Sequence, residues 1–572
     1  MSAESKKRNL VYAIILTTMV GLILWIGTII GGYFERNRTY KMLNNMAQST
    51  GQRQIDLNGY EAEIAALENY IAGNDKLMQT ISHIRNSYVD PIALDTIYEK
   101  AIPKLLSELD PHSEYIPASF FSSVNEHLEG EFDGIGIVFN AMTDTINVLN
   151  TIPQGPSDKA GVRAGDRILR INDRPVAGQK IPQDSMMKLM RGPRGSKVKL
   201  SVQRSGLDRL VDIEVTRDAI QLNSIETSFM LDSEAKIGFV RLSQFARTSY
   251  SEMRNAIMKL REEGLRGIII DLRGNGGGFL DQAILIANEF LPAKRLIVYT
   301  EDRHGVQQRQ FSDGRGRAKG LKLAILVDES SASSSEILAG AIQDNDRGLI
   351  LGRRTFGKGL VQAQIPFNDG SAMRLTVARY FTPTGRSIQK PYANGEQTAY
   401  HLEIIDRYLN NELFEADSIH LDESLKFTTP QGRTVYGGGG IMPDIFVPLD
   451  TVGFTPYYNE VWNSNVLYRF TIDFTDRHRK EIEAIKDLEQ LDELLSSTDL
   501  IEEFTAYAER QGVKTNRREL ATSRHIILAQ IRAYIGRNAM DGNEAGFYYN
   551  IYPIDDVMQR AVKELKNGGL KL

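Results

Sequence analysis

From Ile220 onward the chain alternates short apolar runs with stretches of helical periodicity, and this alternation restricts the segment to an α/β core. Ile237 to Arg241 reads as a strand, Tyr250 to Glu263 as a helix, and Gly267 to Leu272 as a buried strand. Leu280 to Leu291 reads as a helix, Leu323 to Val327 as a strand and Ser334 to Gln343 as a helix. Val361 to Phe367 and Ala372 to Phe381 add a hairpin turned at Asn368-Asp369-Gly370, and Ile445 to Val447 is one last strand.

The flanking segments read differently. Gly130 to Arg217 is a compact unit of about 90 residues. It has strands at Gly134 to Phe139, Ile146 to Leu149, Arg167 to Asn172, Lys197 to Arg204 and Val211 to Thr216, and a helix at Asp184 to Met190. Ahead of it, Leu77, Ile81, Ile84 and Tyr88, then Ile97, Ala101, Leu105 and Leu109, recur at helical spacing until Asp110-Pro111 stops the run. Gln52 to Ala72 is a polar helical stalk. Beyond Pro448 the chain is helical and charged, with amphipathic stretches at Glu481 to Leu495 and Arg524 to Ile535.

Leu10 to Phe34 carries no charge and exceeds the ~20 residues that a spanning helix needs. Lys6, Lys7 and Arg8 precede it, which favours a cytoplasmic N-terminus. The run is too long for a signal-peptide core and no Ala-x-Ala site follows, so an uncleaved single-pass anchor is expected; a cleaved signal peptide is the alternative. The expected layout is an α/β multidomain chain. It comprises a tip and transmembrane anchor (1–34), a stalk (35–74), a helical region (75–128), the compact unit (129–217), the α/β core (218–450) and a helical extension (451–572).

The 572 residues include no cysteine, which excludes disulfides, thiol catalysis and cysteine-ligated zinc. The net charge of -5 gives no case for nucleic acid. No His-Glu-x-x-His pair is present, which argues against a zinc protease. The most informative feature is a serine and a lysine on adjacent loops. Ser333 lies in Ser-Ser-Ala-Ser-Ser-Ser-Glu (Ser330 to Glu336) at the start of a helix, and Lys358 in Thr-Phe-Gly-Lys-Gly (Thr355 to Gly359). Ser333-x-x-Glu336 is also a capping box, and a lysine between glycines is usually solvated. A neutral lysine, however, can take a serine proton without histidine. The Ser334 amide at a helix start and the turn Gly274 to Gly278 offer oxyanion donors. Ser387-Ile-Gln-Lys390 matches Ser-x-x-Lys, but Pro383, Gly385 and Pro391 argue against the helix that motif requires.

Taken together these residues resemble the carboxyl-terminal processing, or tail-specific, proteases from about Asp75 to Pro448. The motifs are Leu-Asp-Pro-His-Ser-Glu-Tyr (Leu109 to Tyr115), Asp-Leu-Arg-Gly-Asn-Gly-Gly-Gly (Asp271 to Gly278), the serine run, and Thr-Phe-Gly-Lys-Gly-Leu-Val-Gln (Thr355 to Gln362). The resemblance implies Ser333 as nucleophile, Lys358 as general base and Gln362 orienting the lysine. It also implies the amides of Gly278 and Ser334 as oxyanion donors and Asp344 in support. Family members often carry alanine where this chain has Ser334; an amide donor survives that change, and the extra hydroxyl is expected as a competing partner.

The unit from Gly130 to Arg217 resembles a PDZ domain. Gly134, Ile135, Gly136 and Ile137 match its carboxylate-binding loop, and Pro156 to Leu169 matches the segment downstream. Such a domain adds a peptide as an extra strand and captures its C-terminus. The implied fold is a β-barrel-like PDZ domain beside a serine protease core of crotonase-like βα units. The implied protein is a membrane-anchored serine endopeptidase facing the periplasm or cell exterior, acting on proteins or peptides with free C-termini. No cofactor, metal or nucleic acid is implied, and the helical tail offers a surface for homo-oligomerisation. The alternative is a noncatalytic PDZ scaffold or chaperone on a decayed protease fold.

Overall fold

The computed structural model describes residues 75–569, apart from 141–144, 153, 164, 205–206, 208 and 540–543. The expected anchor and stalk, residues 1–74, lie outside the described residues. Among those described, no helix is long and apolar enough to cross a membrane. Among the described residues, those up to Tyr98 and those from Glu99 onward belong to separate units. The helices α1 (Asp75–Ser87) and α2 (Leu94–Ser107) follow the predicted periodicity.

After β1 (Glu114–Ile116), α3 (Ala118–Glu129) and β2 (Glu131–Gly134) comes the compact unit. It holds β3 (Ile137–Asn140), β4 (Ile146–Thr151), α4 (Pro156–Ala160), β5 (Arg167–Ile171), β6 (Arg174–Pro175), α5 (Gln183–Met190), β7 (Lys197–Gln203) and β8 (Val211–Thr216). The strands run in the order β3-β4-β5-β7-β8, with β6 on β5, so β3 is an edge strand. Alternation sends Ile146, Val148, Ile168, Leu200 and Val202 into one core. The strand expected over Gly134 to Phe139 is broken at Ile135-Gly136, where Gly136 takes a φ of 70°. The exit strand β9 (Asp218–Gln221) pairs antiparallel with the entry strand β2, so a two-stranded ribbon joins the unit to the α/β core.

The core alternates as the sequence predicts. It comprises β10 (Ile225–Asp232), β11 (Ile237–Leu242), α6 (Ser249–Glu262), β12 (Gly267–Asp271), α7 (Leu280–Phe290), β13 (Leu296–Asp302), β14 (Gln307–Phe311), β15 (Lys322–Val327), α8 (Ser334–Asp344), β16 (Leu349–Gly352), β17 (Leu360–Pro366), β18 (Ala372–Phe381), α9 (Gln397–Leu409), β19 (Lys426–Thr428), β20 (Thr434–Tyr436) and β21 (Ile445–Phe446). The central sheet runs β10-β11-β12-β15-β16-β21, parallel except for the β10/β11 hairpin. α6, α7 and α8 pack on one face through Met253, Leu260, Ile286, Phe290, Leu338 and Ile342. A second sheet runs β1-β18-β13-β14, with β17 on the hairpin strand β18. This brings the Leu109 to Tyr115 segment beside the hairpin that follows Lys358.

The remainder is helical, as expected: α10 (Pro456–Asn463), α11 (Val466–Arg477), α12 (Arg479–Glu483), α13 (Leu488–Ser496), α14 (Leu500–Arg510), α15 (Arg517–Ala539), α16 (Ala545–Ile551) and α17 (Asp556–Lys566). The stretch Glu481 to Leu495 is two helices rather than one, because Asp487 caps α13 by accepting from Gln490 N. Most of these helices share a core of their own, built on Phe470, Phe474, Phe504 and Ile531. α17 does not. Its buried face of Val557, Met558, Ala561, Val562 and Leu565 packs on Phe239, Ile269, Ala324, Leu326 and Leu351, the side of the central sheet opposite α6, α7 and α8. At roughly 1.5–3 kcal/mol for each large apolar side chain buried, this helix is a structural layer of the core and not a mere appendage.

Candidate active site

Two loops at the C-terminal ends of parallel strands meet the start of α8. After β12 the glycine turn is held by its own asparagine: Asn275 Nδ2 donates to Leu242 O (2.8 Å) and its Oδ1 accepts from Gly277 N (2.9 Å). Asn275 O accepts from Ala332 N (3.0 Å) and from Ser335 Oγ (2.8 Å), while Ser331 Oγ donates to Leu272 O (2.8 Å). The turn is therefore bonded to the serine run on both sides of Ser333. Two of its glycines are required by space. A Cβ on Gly277 would lie 2.8 Å from Ser333 Cβ, and one on Gly278 would lie 2.2 Å from Phe245 O. On the far side of the turn, Arg273 binds Asp271 (2.7 Å) and Asp555, the residue that caps α17 (2.9 Å).

Ser333 caps α8 with φ 55° and ψ −114°, a conformation costly for a residue with a Cβ. What holds it is visible. Its N–H donates to Glu336 Oε2 (2.9 Å), and its carbonyl accepts from Glu336 N, Ile337 N and Tyr380 Oη. That carbonyl points into the helix, so the Ser334 N–H in the same trans peptide points out of the helix start. Gly277 O accepts from Phe245 N (2.9 Å), so the Gly278 N–H points away from Phe245 by the same argument. The Ser334 hydroxyl donates to Gly278 O (2.8 Å), tying the two predicted donor residues to each other.

The Lys358 loop is bonded at every backbone group from Thr355 to Gly359. Thr355 N donates to Ile441 O and Phe356 N to Ser331 O. Gly357 N and Lys358 N donate to Glu336 (2.8 and 2.9 Å), and Gly359 N to Gln389 Oε1. The carbonyls of Thr355 and Phe356 accept from the buried guanidinium of Arg407 on α9, and Gly357 O from Lys390 N. Lys358 O accepts from Tyr380 Oη (2.6 Å) and Gly359 O from Tyr380 N. Glu336, fully buried, thus accepts from the amides of both Ser333 and Lys358 and from Thr355 Oγ1 (2.5 Å). Tyr380 Oη reaches both carbonyls, at 3.2 and 2.6 Å. Among the described residues no hydrogen bond joins the side chains of Ser333, Lys358 and Gln362 directly; Glu336 and Tyr380 bring the first two loops together.

The electrostatics make the lysine proton easier to remove. Burial lowers the pKa of Lys358 below the ordinary lysine value, and the charge of Arg374 lowers it further, against Glu114, Glu336 and Asp110. His112, whose Nε2 bonds Tyr400 Oη, is pushed down to about 3, by burial first and by the Lys358 charge second. Burial raises Glu336 to about 7 despite the donors that favour its charged form.

The other predicted residues take distinct places. Gln362 lies on β17, cross-strand from Thr376, to whose Oγ1 its Nε2 donates (3.3 Å). Asp344 is at the far end of α8 in a fully buried pair with Arg386 (2.7 Å), and also accepts from Thr384; it supports the segment after β18 and does not reach Ser333. In the compact unit, Gly134 ends β2 and Ile137 begins β3, while Ile135 O and Gly136 O accept from Ser157 N and Ile152 N. Lys390 is in no helix: its Nζ donates to Tyr400 O and Glu403 and lies 4.1 and 4.2 Å from the ring centres of Phe356 and Tyr400. Sequence reading found Glu336 only as a cap and missed Tyr380, Arg407 and Thr376. Asp110, within the Leu109 to Tyr115 motif, was read only as a helix stop.

Comparison with known proteins gives three family matches. Residues 236–396 match peptidase family S41, residues 134–215 match the PDZ domain, and residues 457–541 match a family of unknown function. A carboxy-terminal-processing protease of Bartonella bacilliformis is 38% identical over 54% of this chain and 70% of its own length. A CtpA-like serine protease of Staphylococcus epidermidis is 33% identical over 55% of this chain and 62% of its own. Among solved structures, a photosystem II D1 C-terminal processing protease is 29% identical over 58% of this chain and 89% of that one, with a TM-score of 0.33.

Proposed function

The chain belongs to the carboxy-terminal-processing proteases of peptidase family S41, serine-type peptidases, and from that premise we propose how its residues divide the work. Ser333 Oγ attacks a peptide carbonyl while Lys358, held as the free amine, takes the hydroxyl proton. The N–H groups of Gly278 and Ser334 bind the oxyanion. The lysine ammonium returns its proton to the leaving amine, and water then cleaves the acyl-enzyme with Lys358 again as base. Gln362 supports the lysine and Asp344 the surrounding fold.

One observation carries this reading: the Glu336 carboxylate accepts from the amides of Ser333 and Lys358 at 2.9 Å each, which holds residues from separate loops in one fixed relation. The PDZ domain, with β3 as an edge strand, suits addition of a substrate C-terminus as a further strand. The apolar run Leu10 to Phe34 supports attachment to the cytoplasmic membrane as a single-pass protein, with the catalytic part outside the cytoplasm. The full chain, presented with an unfolded protein bearing either a free or an amidated C-terminus, is expected to cleave the free form faster. Ser333→Ala is expected to cleave neither. Turnover by Ser333→Ala would refute the nucleophile, and equal rates on both substrates would refute C-terminal selection.

Arg374→Gln should move the acid limb of the kcat/KM profile to higher pH. Arg374 lowers the pKa of Lys358, so its removal raises that pKa and shrinks the fraction of free amine at neutral pH. A limb that stays put or moves down would contradict Lys358 as the base.

A further inference from the structure

Resting on the Ser333/Lys358 reading, one step outward from Gln362 the donors and acceptors have only one consistent direction. Asp110, buried on the segment before β1, accepts at Oδ1 from His112 N (2.8 Å), Ser113 N (3.0 Å) and Thr376 Oγ1 (3.0 Å), and at Oδ2 from Ser113 Oγ (2.5 Å). A carboxylate only accepts. The Thr376 hydroxyl must therefore spend its single proton on Asp110, and what it offers Gln362 is a lone pair. Only the NH2 end of the Gln362 amide can meet that lone pair, which is the 3.3 Å contact between Nε2 and Thr376 Oγ1. The other end, Oε1, is then the end left for the lysine.

Orientation matters because Lys358 carries N–H donors in both its states, so an acceptor suits it throughout the reaction. A reversed amide would point an N–H at the amine lone pair, the electron pair that must take the serine proton. The strand arrangement makes the relay rigid. β18 lies between β17 and β1, with Thr376 opposite Gln362 on one side and its N–H donating to Ser113 Oγ (3.1 Å) on the other. We propose that Asp110 and Thr376 are positioning residues that fix which end of the Gln362 amide faces Lys358, giving the Leu109 to Tyr115 segment a part in the reaction.

The test is a double-mutant cycle on the full chain, read as kcat and KM for one peptide substrate. Thr376→Val, which keeps the size of the side chain, is expected to lower kcat about tenfold with KM within about twofold. Thr376→Ser, which keeps the hydroxyl, is expected to restore kcat. In a Gln362→Ala background Thr376→Val is expected to cost nothing further, because the group it orients is gone. Asp110→Asn, which can donate to Thr376 and free its proton, is expected to behave as Thr376→Val does. Equal kcat losses from Thr376→Val in both backgrounds, or no loss in either, would overturn the proposal. Ser333→Ala run in parallel separates the two levels: if it stays active, the Ser333/Lys358 reading falls and takes the relay with it; if it is inactive and the cycle is additive, only the relay falls.

Discussion

Lys358→Met should lower kcat by about 10⁴-fold or more, the scale on which removal of a member of a nucleophile–base unit acts. Methionine keeps most of the apolar stem and removes the amine, so the loop should keep its form. All ten backbone groups from Thr355 to Gly359 are bonded to partners other than the lysine side chain. The variant should also be more stable than the parent. The folded state lowers the pKa of Lys358, so between that value and the ordinary one the unfolded chain binds more protons. The lysine therefore costs stability most at low pH, and the cost disappears as pH rises toward its ordinary pKa. The advantage of Lys358→Met in denaturant titrations should shrink accordingly. A variant with parental kcat would remove Lys358 from the mechanism, whatever its stability.

Glu336→Gln should lower kcat by about 10²-fold with little change in KM, and lower stability by about 2–4 kcal/mol. The buried carboxylate accepts from Ser333 N, Gly357 N, Lys358 N and Thr355 Oγ1. A glutamine offers one oxygen for these donors and turns an NH2 toward the rest, so at least one loop must shift. The pH dependence adds an independent signature. Glu336 is raised from 4.5 to about 7 in the folded state. Between those values the folded chain holds the extra proton, so the stability this group contributes is fully present below about 4.5 and is lost as pH rises through about 7. Glutamine has no such titration, so the stability gap between variant and parent should narrow across that interval. A gap that widens with pH, or an unchanged kcat, would show that Glu336 only caps α8.

The alternation of apolar runs made the central sheet and α6 to α8 legible, because strands and helices of a covered sheet bury faces with different periods. Ser333, Gly278 and Lys358 were legible because their conformations demand unusual local sequence: a serine run at a helix start and glycines where a Cβ would collide. What escaped was the support. α9 is turned inside out, with Arg407 2% exposed and Leu402 and Leu409 48% and 70% exposed, so a search for an apolar face passes over the helix that clamps the lysine loop. Thr376 and Asp110 meet only because β1 joins β18 from more than 250 residues away in sequence, a separation of 266 between the bonded atoms' residues. No local pattern encodes that pairing, and nothing local distinguishes Tyr380 from its neighbour Phe381 on the same strand.

The position of α17 bears on the order in which the core can be completed. Ribosomes release β11, β12 and β15 long before Ala545–Ile551 and Asp556–Lys566, yet one face of these strands is fully covered only with those two helices, and Arg273 beside the glycine turn lacks Asp555 until then. Contacts so distant along the chain form late and slowly. Without α17 the turn at Gly277 and Gly278 keeps its bonds to Leu242 and the serine run but lacks the Arg273–Asp555 pair beside it. The layer that closes the sheet thus ties residues 282 positions apart, and through Arg273 and Asp555 it reaches the turn that carries Gly277 and Gly278.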